Sequence, residues 1–67
     1  MEVYINNQPV SLEQSTSLQT FLLHNNLASK KGIAVAVNNK VVPRANWQVH
    51  PIHANDKITI IHATQGG

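Results

Sequence analysis

The sequence predicts one α+β domain, in which a single helix packs across one face of a mixed β-sheet. Three observations predict it: alternating apolar residues near the N-terminus, one segment with helical spacing, and two apolar strand-like segments in the second half. The length of 67 residues allows one domain. A domain of this size buries only about 60% of the surface that its unfolded chain exposes. Little room therefore remains for an enclosed active-site cavity.

The first two strands are predicted to form a hairpin. Apolar side chains alternate with other side chains over residues 1–5, which is the pattern of a half-buried strand. Residues 6–8 (Asn-Asn-Gln) predict a turn, because Asn tolerates left-handed backbone geometry. Val10 and Leu12 restore the alternation and predict the second strand.

A helix is predicted next. Thr16 and Gln19 have the spacing of a capping box, in which each side chain binds a backbone amide of the first turn. Asn26 is the expected left-handed residue at the C-terminal end, followed by the apolar Leu27. The buried stripe is expected to consist of residues at i, i+3 and i+4, namely Leu18, Phe21 and Leu22.

The second half begins with a continuous apolar segment. Residues 33–37 are apolar at every position, as expected of a strand that is covered on both faces or lies at the centre of the sheet. Asn38 and Asn39 predict a tight turn into a short strand, Lys40–Val42. Pro43 ends this strand, because proline cannot donate to a β-ladder.

The last third is predicted to contain a helical turn and the final strand. Residues 44–47 form the turn, with Trp47 as a packing anchor over the sheet. Asn55 and Asp56 mark the turn before the strand Lys57–His62. Alternation gives this strand two faces, a core face with Ile58 and Ile60 and a face for docking partners with Thr59 and Ile61.

Composition excludes several classes of function. The absence of cysteine excludes disulfides, thiolate metal sites and a cysteine nucleophile. The formal charge of +2 comes from few ionised groups, and only Lys30 and Lys31 are adjacent, so we interpret them as a solvated loop and expect no nucleic-acid binding. The N-terminus lacks the pattern of a signal peptide, and no apolar run has the length of a membrane span. We expect a soluble, cytoplasmic protein that does not bind membranes.

The sequence contains no set of residues typical of a catalytic or metal site. His50 and His53 are close in sequence, but Pro51 separates them and nothing completes the four ligands of a structural zinc site. Serine, histidine and acidic residues have no spacing that indicates an activated nucleophile. We therefore expect neither a bound metal nor a bound cofactor, and we expect that the chain is not itself an enzyme.

The C-terminal segment is the strongest candidate for a reactive site. We expect residues 1–63 to form the domain and residues 64–67 to form a flexible tail that ends in Gly66 and Gly67. A frayed end is one interpretation. The alternative is a tail that enters a partner's active site, because glycine passes a narrow channel and leaves the terminal acyl carbon unhindered.

The segment from residue 32 to 47 resembles the ThiS family of sulfur carriers. The resemblance lies in Ala-Val-Ala-Val-Asn at residues 34–38, Val-Pro-Arg at 42–44 and Trp47, together with the ending Ala-Thr-Gln-Gly-Gly. It extends over nearly the whole chain. Asn55 stands where family members often have glycine, and Asn also accepts a left-handed backbone.

The resemblance implies a ubiquitin-like β-grasp fold, in which the first and last strands are neighbours. It implies that a ubiquitin-activating-type adenylyltransferase, which consumes ATP, adenylates Gly67. A persulfide sulfur donor would convert Gly67 to a thiocarboxylate, and thiazole synthase would use the sulfur for the thiazole ring of thiamine. Gln65, Gly66 and Gly67 would form the tail that enters these enzymes. A monomer is expected between these encounters.

Two further residues are candidate partner contacts. His62 precedes the tail and is a candidate for contact with an activating enzyme. Arg44 has two open interpretations, because it can hold the short turn in place or form a salt bridge to an enzyme. Three other functions stay open at this level: a sulfur carrier of molybdopterin synthesis, a ubiquitin-like protein modifier, and an interaction domain without tail chemistry.

Overall fold

The computed structural model describes residues 1–28 and 31–62. The elements in chain order are β1 (Glu2–Ile5), β2 (Gln8–Ser11), α1 (Leu18–His24), β3 (Ile33–Val37), β4 (Lys40–Val42), a 3-10 turn (Arg44–Asn46) and β5 (Lys57–His62). Every predicted strand, the helix and the short helical turn are present, within one or two residues of the expected bounds. No helix within the described ranges is long and apolar enough to cross a membrane.

The five strands form one mixed sheet in the order β2-β1-β5-β3-β4. The first and last strands lie side by side and run parallel, with Tyr4 opposite Lys57 and Ile5 opposite Ile58. The other neighbouring strands are antiparallel. This arrangement is the ubiquitin-like β-grasp topology that the resemblance implied. It makes β5, the strand that leads into the C-terminal tail, the central strand of the sheet.

Residues 33–37 differ from the expectation of a strand that is central or covered on both faces. The central strand is β5, and β3 lies between β5 and β4. Val35 and Val37 belong to the core, whereas Ala34 is only partly buried on the opposite face. Ala36 is 6% exposed without being part of the core cluster, because its small side chain lies between Thr59 and Val41 of the two flanking strands.

The predicted capping box was wrong by one residue. The N-terminal cap is Ser17, whose Oγ accepts a hydrogen bond from the amide of Thr20 at 3.2 Å. The amide of Gln19 donates to the carbonyl of Trp47 and the amide of Leu18 to that of His50. Tertiary contacts therefore satisfy the first-turn donors that the capping box was expected to satisfy.

The C-terminal end of the helix follows the prediction. Asn26 has a φ of 60°, in the left-handed region. The amide of Leu27 donates to the carbonyl of Leu22 at 2.8 Å, and the amide of Asn26 to that of Leu23 at 3.1 Å. These two bonds form a Schellman motif, which ends the helix and turns the chain toward β3.

The core lies between α1 and one face of the sheet. Ile58 and Ile60 of β5 are buried in it, as predicted, and so is the stripe of Leu18, Phe21 and Leu22. Trp47 is 1% exposed and donates from Nε1 to the carbonyl of Val42 at 2.9 Å, so it is the predicted packing anchor.

Asn38 stabilises the end of the sheet at which β5 begins. Its φ of 52° gives the left-handed geometry of the hairpin turn. Its Nδ2 donates to Oδ1 of Asp56 at 3.0 Å, and its Oδ1 accepts from the amide of Lys57 at 3.0 Å. The side chain thus joins the β3–β4 turn to the start of the central strand.

We expect Asn38→Gly to lower the free energy of unfolding by about 1–3 kcal/mol, because glycine keeps the left-handed turn but removes both side-chain hydrogen bonds. Asn39→Gly is the matched control, since Asn39 is also left-handed, with a φ of 71°, and makes neither bond. Urea unfolding followed by circular dichroism measures both variants. Equal stability of the two variants would show that the Asn38 side chain contributes nothing beyond turn geometry.

Candidate functional site

The described part of the chain ends with the central strand of the sheet, from which the predicted tail would continue. β5 ends at His62, which lies opposite Ile33, the first residue of β3. The side chain of His62 is exposed. The predicted tail residues Gln65, Gly66 and Gly67 lie outside the described residues. The site can therefore be described up to its root at His62.

One face of the sheet is left uncovered by the helix, and we call it the outer sheet face. Along β5, Ile58 and Ile60 are buried, whereas Lys57, Thr59 and Ile61 are exposed. The same alternation and the strand register place residues of β1, β3, β4 and β5 on the outer sheet face. They are Glu2, Tyr4, Ala34, Ala36, Val41, Lys57, Thr59 and Ile61. The prediction that Thr59 and Ile61 point away from the core is confirmed.

An apolar patch lies on the outer sheet face next to the root of the tail. It consists of Ala34, Ala36, Val41 and Ile61. Ile61 is opposite Ala34, and Ala36 is opposite Val41, so the four side chains lie on adjacent strands. Val41 is 64% exposed and Ile61 is 45% exposed. Because Ile61 directly precedes His62, the apolar patch extends to the residue before the end of the described chain.

The other side of the outer sheet face is polar. The hydroxyl of Tyr4 donates to Oε1 of Glu2 at 3.2 Å, and this hydrogen bond, with the negative charge of Glu2, raises the pKa of the Tyr4 phenol. Lys57 lies opposite Tyr4 on β5. The apolar patch is thus bordered by one carboxylate and one ammonium group, which gives this face little net charge.

Arg44 contacts both Trp47 and the residue Ala28, which follows α1. Its guanidinium carbon is 4.4 Å from the centroid of the Trp47 ring, which is the geometry of a cation–π contact. Its Nη1 donates to the carbonyl of Ala28 at 2.8 Å. The turn-holding interpretation of Arg44 therefore has defined contacts, whereas the salt bridge to an enzyme stays a prediction.

The histidines at the opposite end of the sheet form no metal centre within residues 1–28 and 31–62, where no group of three or more His, Asp or Glu residues is placed to bind a metal ion. His53 Nδ1 is 4.0 Å from Oδ2 of Asp56. The two carboxylate oxygens of Asp56 accept from Asn38 Nδ2 and from the amide of His53. Asp56 is therefore a structural link between two turns.

Sequence reasoning missed part of the apolar patch. The uniformly apolar residues 33–37 predict a strand that is covered on both faces or central, which does not separate Ala34 and Ala36 from their neighbours, and no sequence pattern gives Val41 a role. The signal that distinguishes them is side-chain size, since β3 alternates between alanine and the larger Ile33, Val35 and Val37. The large residues fill the core, and the alanines leave the outer sheet face flat.

Comparisons with known proteins agree with this geometry. The model of the ThiS family matches residues 2–67. A search of curated proteins found no match. The crystal structure of the thiamine biosynthesis protein ThiS from Geobacter metallireducens superposes with a TM-score of 0.87 at 19% identity, and the alignment covers 100% of both chains. An NMR structure of a thiamine biosynthesis protein from the same organism gives a TM-score of 0.76 at 19% identity, covering 100% of this chain and 88% of that one. Since the family model spans nearly every residue and the fold agrees over the full length, this chain belongs to the ThiS family.

Proposed function

We propose that this chain is a sulfur carrier of thiamine biosynthesis and that the carboxylate of Gly67 is its reacting group. The observation that carries the proposal is the match to the ThiS family over residues 2–67, which includes Gly66 and Gly67. The chain contributes the reacting group and its partners contribute the catalysis, so it acts as a co-substrate and not as an enzyme.

The proposed chemistry follows from the poor reactivity of a carboxylate. A carboxylate oxygen of Gly67 attacks the α-phosphate of ATP in a ubiquitin-activating-type adenylyltransferase, which forms an acyl-adenylate and releases pyrophosphate. A persulfide of the sulfur donor then attacks the acyl carbon and displaces AMP. A thiol cleaves the resulting acyl disulfide, which leaves a thiocarboxylate on Gly67 and a disulfide on the donor side. Thiazole synthase would take the sulfur from this thiocarboxylate. We propose the cytoplasm as the compartment, because these reactions consume ATP and a reducing thiol.

The geometry of the described residues supports a carrier that is held by one face and reacts at its end. The apolar patch lies beside the residue from which the predicted tail continues. A partner that covers the patch would therefore lie close to the tail. The edge strand β2 carries Pro9, which lacks a backbone N–H and so weakens pairing with another strand at that edge. Docking through the outer sheet face is therefore favoured over docking through this edge. His62 follows Ile61 in sequence, but the alternation of β5 places its side chain on the opposite face, so its contact with a partner stays a prediction.

Adenylation itself is the first test. The chain ending at Gly67 is incubated with ATP, labelled pyrophosphate and an adenylyltransferase of the thiamine pathway that is active on a known carrier. Return of label into ATP that depends on this chain supports the proposal. No exchange with an enzyme that exchanges with its known carrier would contradict it.

We expect Ile61→Glu to weaken binding of the adenylyltransferase, because it places a charge in the apolar patch, where a partner would bury it unpaired. The KM for the carrier should rise at least about tenfold, equivalent to about 1.4 kcal/mol of binding free energy, with a smaller change in kcat. Val49→Glu is the matched control, because Val49 is 78% exposed and lies outside the outer sheet face. Equal KM values for the two variants would show that the partner does not cover the patch.

The product separates the remaining candidates. Conjugates of high molecular weight, joined from Gly67 to lysine, would indicate a protein modifier. Sulfur transfer to a molybdopterin precursor, without transfer in thiazole formation, would indicate the other carrier class. Function that persists without Gly66 and Gly67 would indicate an interaction domain.

A further inference from the structure

Arg44 joins two segments that are distant in sequence. Its Nη1 donates to the carbonyl of Ala28 at 2.8 Å, across sixteen residues. Its guanidinium also stacks on Trp47, which is itself 1% exposed and bonded through Nε1 to the carbonyl of Val42. The indole is a rigid platform, because its ring is packed in the core and its only polar atom is satisfied. Arg44 is thereby held so that its Nη1 reaches the carbonyl of Ala28.

Ala28 belongs to the connection between α1 and β3. Its amide donates to the carbonyl of Leu22 at 3.3 Å, which ties the connection to the helix. The bond from Arg44 ties the same residue to the 3-10 turn. β3 begins at Ile33, and Ile33 is the register partner of His62, the last described residue before the tail. Ala28 therefore lies five residues before the strand that pairs with the last described residues of β5.

We propose that Arg44 is a positioning residue, which acts through Ala28 and β3 to fix the position at which the tail leaves β5. In this proposal, β3 fixes the end of β5 through the pairing of Ala34 with Ile61. The bond from Arg44 to Ala28 keeps β3 in the position that this pairing requires. The consequence for adenylation rests on the proposed function, whereas the effect on the strand does not. The planar guanidinium suits this role, because it stacks through its face and donates through its edge at the same time, which an ammonium group cannot do.

The proposal has a local readout in hydrogen exchange. The amide of Ile60 donates to Oδ1 of Asn6 on the β1 side of β5. Because successive amides of a strand point to opposite edges, the amides of Thr59 and Ile61 point to β3. The Ala34–Ile61 pair lies near the tail, and the Ala36–Thr59 pair lies one step further into the sheet. Loss of the Arg44 contact should increase opening at the first pair more than at the second.

The experiment compares Arg44→Ala and Arg44→Lys with the unaltered chain by amide hydrogen exchange. We expect exchange at Ala34 and Ile61 to become at least about tenfold faster relative to exchange at Ala36 and Thr59 in both variants. Lys40→Ala is the matched control, because Lys40 is an exposed cation at the other end of β3, opposite Val37, and its loss changes the net charge equally. It should leave both pairs unchanged.

Three results would overturn the proposal. Unchanged exchange in both Arg44 variants would show that the contact does not hold the strand. Equal acceleration of both pairs would show that Arg44 contributes only to global stability. The third result is normal exchange in both variants, with adenylation lost in Arg44→Ala and retained in Arg44→Lys. It would support the salt bridge to an enzyme instead. If Arg44→Ala does not fold, Arg44→Lys carries the same exchange test.

A kinetic measurement connects the position of the tail to the reaction. If the tail root is misplaced, kcat for adenylation should fall by at least about tenfold in Arg44→Lys, with a smaller change in KM, because the outer sheet face is intact while the carboxylate is misaligned. An unchanged kcat alongside the selective exchange effect would overturn the consequence for adenylation. If no chain is adenylated but the selective exchange effect is present, the proposed function fails and the structural role of Arg44 stands.

Discussion

Removal of Gly66 and Gly67 is expected to abolish adenylation and sulfur loading while leaving the fold intact. The reacting carboxylate would then sit on Gln65, which is two residues short of the reach that the active site of the partner requires and carries a side chain at the acyl carbon. We expect the rate of ATP–pyrophosphate exchange to fall by at least about 10³-fold, or about 4 kcal/mol in activation free energy. Binding to the enzyme should persist, since the outer sheet face is unchanged.

The matched control for this truncation is Gln65→Ala, which alters a tail residue but keeps the length and the terminal glycines. Exchange kinetics measure activity, and circular dichroism with urea unfolding measures the fold of both chains. Full activity of the truncated chain would contradict a role for Gly67 as the reacting residue. Loss of folding in the truncated chain would contradict the division into a domain and a separate tail.

Trp47→Ala is expected to have the largest effect on stability. Trp47 is 1% exposed, and substitution of a buried tryptophan by alanine typically costs about 3–5 kcal/mol. A domain of this length has a total stability of about 3–10 kcal/mol. The variant also loses the bond from Nε1 to the Val42 carbonyl and the surface on which Arg44 stacks. We therefore expect it to be largely unfolded at room temperature.

Two further substitutions separate the contributions of Trp47. Trp47→Phe keeps an aromatic surface but leaves the Val42 carbonyl without the indole donor, and should cost about 1–3 kcal/mol. Val49→Ala is the exposed control and should change the free energy of unfolding by less than about 0.5 kcal/mol. Urea unfolding monitored by circular dichroism measures all three. A Trp47→Ala variant as stable as Val49→Ala would contradict the assignment of Trp47 as the packing anchor.

The elements that sequence predicted well are those whose signals are local. Alternation places Ile58 and Ile60 in the core, and asparagine at Asn38 and Asn55 is found with left-handed backbone at φ values of 52° and 69°. Each of these features depends on a residue and its immediate neighbours. Local physics therefore determines them, whatever the rest of the chain does.

The predictions that failed or stayed open depend on distant segments. The helix cap moved from Thr16 to Ser17 because the carbonyls of Trp47 and His50 receive the first-turn amides, which no local pattern indicates. The contact of Arg44 with Ala28 uses a backbone carbonyl, and a carbonyl leaves no trace in residue type. The pairing of the first and last strands was predicted from the family resemblance and not from periodicity, and the rest of the strand order was not predicted, because pairing is a property of the whole sheet.

Loading of sulfur on Gly67 changes the mass of the chain, so the intact mass is the decisive measurement. The chain is incubated with ATP, the adenylyltransferase, a persulfide donor and a thiol reductant, and then digested to locate any change. We expect a mass gain equal to the replacement of one oxygen by sulfur, confined to the C-terminal peptide and absent when ATP is omitted. An unchanged mass, under conditions in which a known carrier is converted, would contradict it.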